Sequence, residues 1–404
     1  MKNTLGNFAN GLVKKFFNFI LIIACLLVFN NKLAAAQTIP ASKQDSIPNS
    51  KLRISILTCD AGEDIYTIWG HTAVRVVDSI NNTDYVFNFG TFDFNTPNFV
   101  AKFMKGDLMY FISATNYNSF LYEYEYTARN VHEQELKLTA TEKEKWYQAL
   151  QTNMIGNNRF YLYNFITDNC TTRIKDGLFK HASVNEYSIG IHSFREEIVS
   201  GCYKAGLGWI GLGIDLLLGS VSDKTPNLFQ EAFLPKLLYQ KIALNPKLVL
   251  STKDIQYNTK PSAKGGYPMN FLIGFLLLYI FVASWNSLTT QRIARVLDIM
   301  LLFILGVGGA LVLYMSQFSF HTSCHENYNL IWLHPLYLLA IPVYFISKKW
   351  TGYIGWLFFT TTALLMFASY WLPQHFSKSV MVVMIIALFL QTRLIKRGTL
   401  AKYK

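Results

Sequence analysis

The C-terminal third of the chain contains five apolar runs, each about long enough to cross a bilayer. They cover residues 269–285, 296–318, 330–346, 353–372 and 376–394. One helical crossing needs about 20 mostly apolar residues. Because lipid cannot satisfy backbone polar groups, each run must satisfy its own as a helix. The sequence therefore predicts an all-α domain of five transmembrane helices over residues 269–395.

Basic residues are unevenly distributed among the connections between these runs. The connections after the first, third and fifth runs carry Arg292, Arg295, Lys348, Lys349, Arg393, Lys396, Arg397, Lys402 and Lys404, and the other two carry only Lys378. Positively charged loops stay in the cytoplasm. We expect a multi-pass protein of the inner membrane, with a cytoplasmic basic tail at 396–404 and residues 37–268 on the periplasmic side.

Composition supports a membrane protein over a soluble one. Hydrophobic residues make up 51% of the 404 residues, and charged residues make up only 15%, against about 25% in soluble domains. The net charge of +12 would suit nucleic acid if it formed a patch on a folded domain. Many of the basic residues flank apolar runs instead, so we expect a membrane as partner and no nucleic acid.

The N-terminus resembles a targeting segment. A pair of lysines precedes an apolar run at 16–29, and three alanines follow at 34–36, which predicts a signal peptide over residues 1–36. Two alternatives stay open: a lipidated Cys25 and an uncleaved anchor helix. All three export the residues that follow.

Residues 37–200 alternate between strand and helix periodicity, which indicates an α+β domain. Alternation of apolar and polar residues predicts a first strand from Leu52. A second strand at 71–77 and a third at 85–89 are expected to form a hairpin.

Helices are expected later in this domain. Thr141 and Glu144 have the spacing of a capping box for a helix with Trp146 and Leu150 on its buried face. A second helix is expected over 172–179.

Residues 201–268 are expected to link the two domains. Their glycine-rich apolar stretch at 206–220 is interrupted by Asp215 and is short for a crossing. It is either an interfacial segment or a buried loop and helix of the exported domain.

Two residues of the exported domain suit thiol chemistry. Cys170 precedes the predicted helix at 172–179, and unpaired amides at a helix start stabilise a thiolate. His71 begins a strand after a glycine. A histidine near the thiol would accept its proton and return it to a leaving group. The alternative is a structural role for both residues.

Other groups are candidates for supporting this dyad. Asn88 lies on the strand after His71 and could orient the imidazole, with Asp84 and Asp93 as rivals. The backbone N–H of Cys170 is a natural oxyanion donor. Candidates for oxyanion or supporting roles are Asn169, Arg129 and Arg173.

The other cysteines do not form a recognisable framework. A bridge between Cys59 and Cys202 is possible, and pairing would disqualify any thiol as a nucleophile. Without a CxxC pair, a zinc site is not expected.

A polar loop lies between the second and third apolar runs. We expect His325, Asn327 and Asn329 to contact a phospholipid or lipoprotein head group, although Asn329 could equally cap a helix start. The cluster also suggests a metal, through His321, Cys324, His325, Glu326, Asn327, Asn329 and His334, but its spacing argues against one.

Aromatic residues are dense over 87–111. Most are expected to pack in the core. Some could line a groove for an acyl chain or enter the membrane interface.

Several motifs resemble a known family. WGHTAVRVVD, YVFNFGTFDFNTPNFVAKFMKGDLMYF, EYEYTARNVHEQELKLT and YNFITDNCTTRIKD look like the exported domain of the Lnb-type lipoprotein N-acyltransferases of Bacteroidetes, and the five-helix tail looks like that family's second domain. The order of His71 before Asn169 and Cys170 also resembles circularly permuted papain-like thiol enzymes such as lecithin:retinol acyltransferase.

This resemblance implies a function. A fatty acyl chain would pass from a phospholipid, through a thioester on Cys170, to the N-terminal amine of diacylglyceryl-cysteine lipoproteins, without a cofactor. The alternatives are a membrane-tethered thiol hydrolase (a phospholipase, or a peptidase or amidase) and a non-enzymatic membrane scaffold.

Overall fold

A single antiparallel sheet organises the exported part of the chain. The computed structural model describes residues 52–257 and 266–399, so the predicted signal peptide and the last residues of the basic tail lie outside it. The strands are β1 Leu52–Cys59, β2 His71–Asp78, β3 Thr83–Thr91, β4 Met109–Asn116, β5 Val131–Leu136, β6 Phe160–Leu162 and β7 Val249–Ile255. Their order is β6-β4-β3-β2-β1-β5-β7.

The predicted hairpin is present. Strands β2 and β3 pair antiparallel from Val74 opposite Phe87 to Asp78 opposite Thr83. The first strand differs from the simple alternation expected, since every residue from Ile54 to Cys59 is buried. It lies near the centre of the sheet and contacts helices, so neither of its faces is left in water.

Helices flank the sheet and then form the membrane domain. They are α1 Phe99–Lys105, α2 Tyr117–Tyr126, α3 Ala140–Asn153, α4 Cys170–His181, α5 Phe194–Lys204, α6 Gly208–Leu217, α7 Pro235–Ala243, α8 Pro268–Ser284, α9 Leu288–Gln317, α10 Leu336–Ile346, α11 Lys348–Ala368 and α12 Lys378–Thr399.

The capping box of α3 is formed by Thr139 and Glu142, not by Thr141 and Glu144 as predicted. Both pairs have the same spacing, and the sequence pattern alone could not choose between them. Trp146 and Leu150 are buried as expected.

The sheet extends past the predicted domain boundary at residue 200. Strand β7 pairs with β5 from Val131 opposite Ile255 to Leu136 opposite Val249. Helix α7 contacts β1, and the Gln134 side chain donates a hydrogen bond to the Tyr239 carbonyl in this helix. Much of the segment expected to link the domains is therefore part of the α+β fold.

Helix α6 joins the two parts of the chain. It contacts α5 on one side and α8, α9 and α12 on the other, and its Leu212 belongs to the apolar cluster of the membrane helices. The stretch at 206–220 therefore packs against both the exported domain and the membrane helices. Each of the two alternatives predicted for it describes only part of this arrangement.

A buried ion-pair cluster fixes the end of α6. Arg195 donates to Asp215 at 2.7 Å and to Asp223 at 2.8 Å, and all three side chains are less than a tenth exposed. The same guanidinium donates to the carbonyls of Leu218 and Gly219. Such a cluster holds its geometry because removing one partner leaves a buried charge unpaired.

Within residues 52–257 and 266–399, four helices are long and apolar enough to cross a membrane. They span Leu288–Gln317, Tyr328–Ile346, Lys348–Ala368 and Lys378–Thr399, while α8 is apolar but has only 17 residues. The predicted count of five crossings therefore depends on α8, whose length is at the lower limit for a crossing.

We predict that Arg195→Ala destabilises the full chain by about 3–5 kcal/mol, because Asp215 and Asp223 would be left buried and unpaired. The melting temperature of the purified protein in detergent would measure this loss. Arg53→Ala is the matched control, since Arg53 is over half exposed and lies 4.0 Å from Glu135; such a surface pair contributes about 0–1 kcal/mol. Equal melting temperatures for the two variants would contradict the prediction.

Candidate active site

Three elements bring the predicted dyad together. His71 begins β2, Asn88 lies on the neighbouring β3, and Cys170 is the first residue of α4. Helix α4 contacts both strands. The hydroxyls of Thr72 and Thr171, both fully buried, lie 3.1 Å apart and join the start of β2 to the start of α4.

Asn169 caps the helix that carries the thiol. Its Oδ1 accepts from the amides of Thr171 and Thr172, at 2.8 and 2.9 Å. Its Nδ2 donates to the carbonyls of Phe165 and Phe233. Both acceptor positions of Oδ1 and both protons of Nδ2 are used in this way. Asn169 therefore supports the site by fixing α4, and its side chain has no proton left to donate to an oxyanion.

This cap leaves one amide of the first turn available. The N–H of Cys170 makes no hydrogen bond within the described residues, while those of Thr171 and Thr172 are satisfied by Asn169. An unsatisfied amide at a helix start is the kind of donor that stabilises a developing oxyanion.

His71 contacts the amide predicted to orient it. Its Nε2 lies 3.3 Å from Asn88 Oδ1. Asn88 Nδ2 is 3.4 Å from the Val86 carbonyl, a weak contact that faces Oδ1 towards the imidazole. With Nε2 occupied by Asn88, Nδ1 is the ring nitrogen available to the thiol.

The rival carboxylates are engaged elsewhere. Asp84 accepts two hydrogen bonds from Arg75, at 2.9 and 2.7 Å. Asp93 is exposed and accepts from the amide of Asn95. Asn88 is thus the only one of the three candidates that contacts His71 within the described residues.

The two dyad residues shift each other's pKa. Burial alone would raise the pKa of the Cys170 thiol, but the His71 charge and hydrogen bonds from His71, the Thr72 amide and the Thr171 hydroxyl together lower it. Burial alone would lower the pKa of His71, but the neighbouring Cys170 and the Asn88 hydrogen bond raise it. The pair therefore favours a thiolate beside an imidazolium.

Gly90 makes room for the Cys170 side chain. It has φ +90°, and a Cβ built on it would lie 3.4 Å from the Cβ of Cys170. The pairing of β3 with β4 is irregular between Asn88 and Thr91, where β3 has an extra residue. This bulge brings the strand against Cys170 without a side chain in between.

The two arginines predicted to help differ in their surroundings. Arg173 is bound to Asp168 through Nε and Nη2, at 2.6 and 2.8 Å, so its charge is largely neutralised. Arg129 is buried, donates from Nε to the Asp60 carbonyl and has an Nη2 without a partner within the described residues. Its charge acts to lower the pKa of His71.

Tyr161 is a site residue that the sequence analysis missed. Its hydroxyl is buried and has no hydrogen-bond partner within the described residues. The Gly90 amide acts to lower the Tyr161 pKa. The Tyr161 hydroxyl lies 4.0 Å from the position where a Cβ on Gly90 would be. Burial and the charge of Cys170 raise the Tyr161 pKa overall, so the phenol keeps its proton. No local pattern marked this strand of three residues.

The residues predicted to contact a head group have structural contacts instead. Asn327 donates to the carbonyls of Leu216 and Leu217, and Asn329 donates to Leu216 as well. Both asparagines are buried. His325 Nε2 lies 3.0 Å from the Ser319 carbonyl. For Asn327 and Asn329 the expected head-group role is corrected here, because these two side chains close the end of α6 and Asn327 caps the turn at 328–331. For His325 it stays a prediction.

The described cysteines are all free thiols, so Cys59 and Cys202 are not bridged. Burial raises the pKa of Cys59 to about 12, and those of Cys202 and Cys324 to about 11. Over residues 52–257 and 266–399, no group of three histidine, cysteine or acidic side chains is arranged to hold a metal.

Two protein-family models match the chain, one in its exported part and one in its membrane helices. Residues 40–188 match the Lnb N-terminal periplasmic domain, and residues 261–404 match the Lnb transmembrane domain. The chain belongs to the Lnb family. This Lnb-family protein is therefore a membrane protein with an N-terminal periplasmic domain. Comparisons with curated proteins and with solved structures gave no significant match.

We predict that iodoacetamide at pH 7 modifies Cys170 of this Lnb-family protein well before Cys59, Cys202 or Cys324, because only its pKa is lowered. The alkylation rate should rise with pH through a midpoint below the usual thiol pKa of about 8.5, since thiolate is lost as the pH falls through that midpoint. Peptide mass spectrometry over a pH series measures it.

His71→Asn is the matched variant for this measurement. It removes the charge that stabilises the thiolate, so the midpoint should move up. An unchanged midpoint, or labelling of Cys59 as fast as Cys170, would contradict the electrostatic account of the site.

Proposed function

We propose that this protein is a lipoprotein N-acyltransferase of the inner membrane, with its C-terminus in the cytoplasm. It would move a fatty acyl chain from a phospholipid to the N-terminal amine of a diacylglyceryl-cysteine lipoprotein. The observation that carries the proposal is the thiol of Cys170 at a capped helix start beside His71, in a chain that also has a membrane domain. The permuted papain-like fold remains part of this proposal.

The first half-reaction would make a thioester. The Cys170 thiolate attacks the ester carbonyl of the phospholipid, and the oxyanion forms next to the Cys170 N–H. The carbon–oxygen bond of the ester then breaks. The imidazolium of His71 gives its proton to the departing glycerol oxygen, so that a lysophospholipid leaves.

The second half-reaction would make the amide. The lipoprotein amine attacks the thioester carbonyl, and neutral His71 accepts a proton from the nitrogen. The carbon–sulfur bond breaks, and Cys170 leaves as a thiolate beside an imidazolium. Asn88 would keep the same ring nitrogen facing the sulfur in both steps, because it holds the other one.

The location of the site supports a substrate in the bilayer. The segment after α9 donates to the exported domain, with the Phe320 amide 2.7 Å from the Lys105 carbonyl. Asn164 also donates to Thr322 at 3.1 Å. A soluble substrate would not require a catalytic domain bound in this way to membrane helices.

The test is the acylation state of a lipoprotein in cells that lack their own N-acyltransferase. We predict that the full chain adds a third acyl chain to the N-terminal peptide, as detected by mass spectrometry. Cys170→Ser should add none, and His71→Asn should lower the rate by about 10²–10⁴-fold, while both variants remain in the membrane at normal abundance.

Other outcomes would replace the proposal. Cys170-dependent release of fatty acid or peptide from a lipoprotein that stays diacylated would indicate a thiol hydrolase. Full activity of Cys170→Ser would remove Cys170 as the nucleophile. If no product depends on Cys170, the chain would be a membrane scaffold.

We also predict that Tyr161→Phe lowers kcat by about 10²-fold, the usual cost of removing one oxyanion donor. The KM for the acyl donor should change little, because the phenol would act on charge that develops in the transition state. Tyr147→Phe is the matched control, since Tyr147 lies on α3 with its ring centre 6.1 Å from that of Phe87 and is assigned no role in the site. Equal kcat values for the two variants would exclude Tyr161 as a donor.

A further inference from the structure

Helix α1 presents exposed apolar side chains beside the membrane helices. Phe94, Val100 and Phe103 are each nearly half exposed, and Phe320, just beyond the end of α9, is more than half exposed. These four residues are called the α1 surface below. Soluble domains seldom expose such a cluster unless another apolar body covers it.

The α1 surface is fixed directly to the end of a candidate span. Helix α9 ends at Gln317. Three residues later, the Phe320 amide donates to the Lys105 carbonyl at 2.7 Å, and His321 Nε2 lies 2.8 Å from the Phe103 carbonyl. Any bilayer that surrounds α9 must therefore end close to α1.

The charges near α1 also suit a lipid interface. Lys102 and Lys105 lie in its last turn. Lys105 Nζ is 2.9 Å from Asp107 and 5.4 Å from the centre of the Phe320 ring. Lysines at the rim of an apolar surface can keep their ammonium groups at the level of the lipid phosphates.

A series of aromatic rings connects this surface to the nucleophile. Ring centres are 6.5 Å apart for Phe103 and Phe99, 5.8 Å for Phe99 and Phe92, 5.2 Å for Phe92 and Tyr110, and 4.5 Å for Tyr110 and Tyr163. Tyr110 also lies 6.4 Å from Tyr161, ring centre to ring centre. The Tyr161 hydroxyl and the Cys170 Cβ lie 4.0 and 3.4 Å from the same point, the position of a Cβ on Gly90. The series therefore ends beside the thiol.

A narrow cleft follows the same direction. It is lined by Phe103, Gly106, Leu108, Tyr110, Tyr163 and His321. One wall comes from the exported domain and the other from the segment after α9. The cleft has a volume of only about 10 Å³, so an acyl chain would enter between the two walls only as they move apart.

We propose that the α1 surface lies in the outer lipid layer of the membrane and that the aromatic series guides a phospholipid acyl chain from there to Cys170. The first half concerns a lipid surface and is independent of the reaction. The second half rests on the proposed acyltransferase function.

The first half is tested with spin labels on the full chain in vesicles of phosphatidylethanolamine and phosphatidylglycerol. Cys25 and Cys170 are changed to serine, which leaves three buried cysteines. Labels are attached at Phe103→Cys, Val100→Cys and, as control, Leu250→Cys, an exposed residue of β7 at the opposite edge of the sheet. Oxygen concentrates in lipid, and a water-soluble nickel chelate stays outside it.

We expect the labels at 100 and 103 to be relaxed more by oxygen than by nickel, and the label at 250 to show the reverse. Using two positions guards against one variant that fails to fold. If both α1 labels respond to nickel like the control, the surface lies in water and the proposal is overturned.

The second half is tested with Phe103→Ser in the same vesicles, with Leu250→Ser as control. Acyl transfer from phospholipid should fall about tenfold with Phe103→Ser, since apolar contact with the donor is lost. The rate of iodoacetamide reaction at Cys170 should stay the same. Unchanged transfer by Phe103→Ser would overturn the acyl route but not the proposed function. If the wild-type chain itself transfers no acyl group, the proposed function is wrong, and the spin-label result still tests the membrane contact.

Discussion

The packing of the α4 start against β2 is the contact on which the site depends. Asn169 caps the helix, and the Thr72 and Thr171 hydroxyls join it to the strand that begins with His71. Because Cys170 and His71 are the first residues of these two elements, fixing the element ends fixes the dyad. The proposed nucleophile thus needs no mobile loop to reach its proposed base, which favours a preorganised site.

The membrane domain is joined to the exported domain by short polar contacts. The Gly219 amide donates to the Ser323 carbonyl, and the Ser222 hydroxyl donates to the same carbonyl. A Cβ on Gly219 would lie 1.7 Å from the His325 carbonyl oxygen, so only glycine fits there. Together with the Arg195 cluster, these contacts fix the exported domain to the end of the membrane helices, as the proposed use of a lipid donor requires.

Much of this arrangement followed from sequence patterns. The hairpin, the helix start at Cys170 and the pairing of His71 with Asn88 were predicted, because period-two alternation and capping residues are local signals. Strand β7 was missed because its partner β5 lies over a hundred residues earlier. The roles of Asn327 and Asn329 were misjudged for a similar reason, since the carbonyls they satisfy lie on a distant helix.

The proposed thioester is the central claim, and it can be observed on the enzyme itself. The purified full chain is incubated with phosphatidylethanolamine without a lipoprotein acceptor, and the Cys170 peptide is then analysed by mass spectrometry. We predict that this peptide gains the mass of one fatty acyl group, which neutral hydroxylamine removes and which His71→Asn greatly reduces. The account would be contradicted if lysophospholipid is released while Cys170 remains unmodified. The acyl group would then be found on another residue or as free fatty acid.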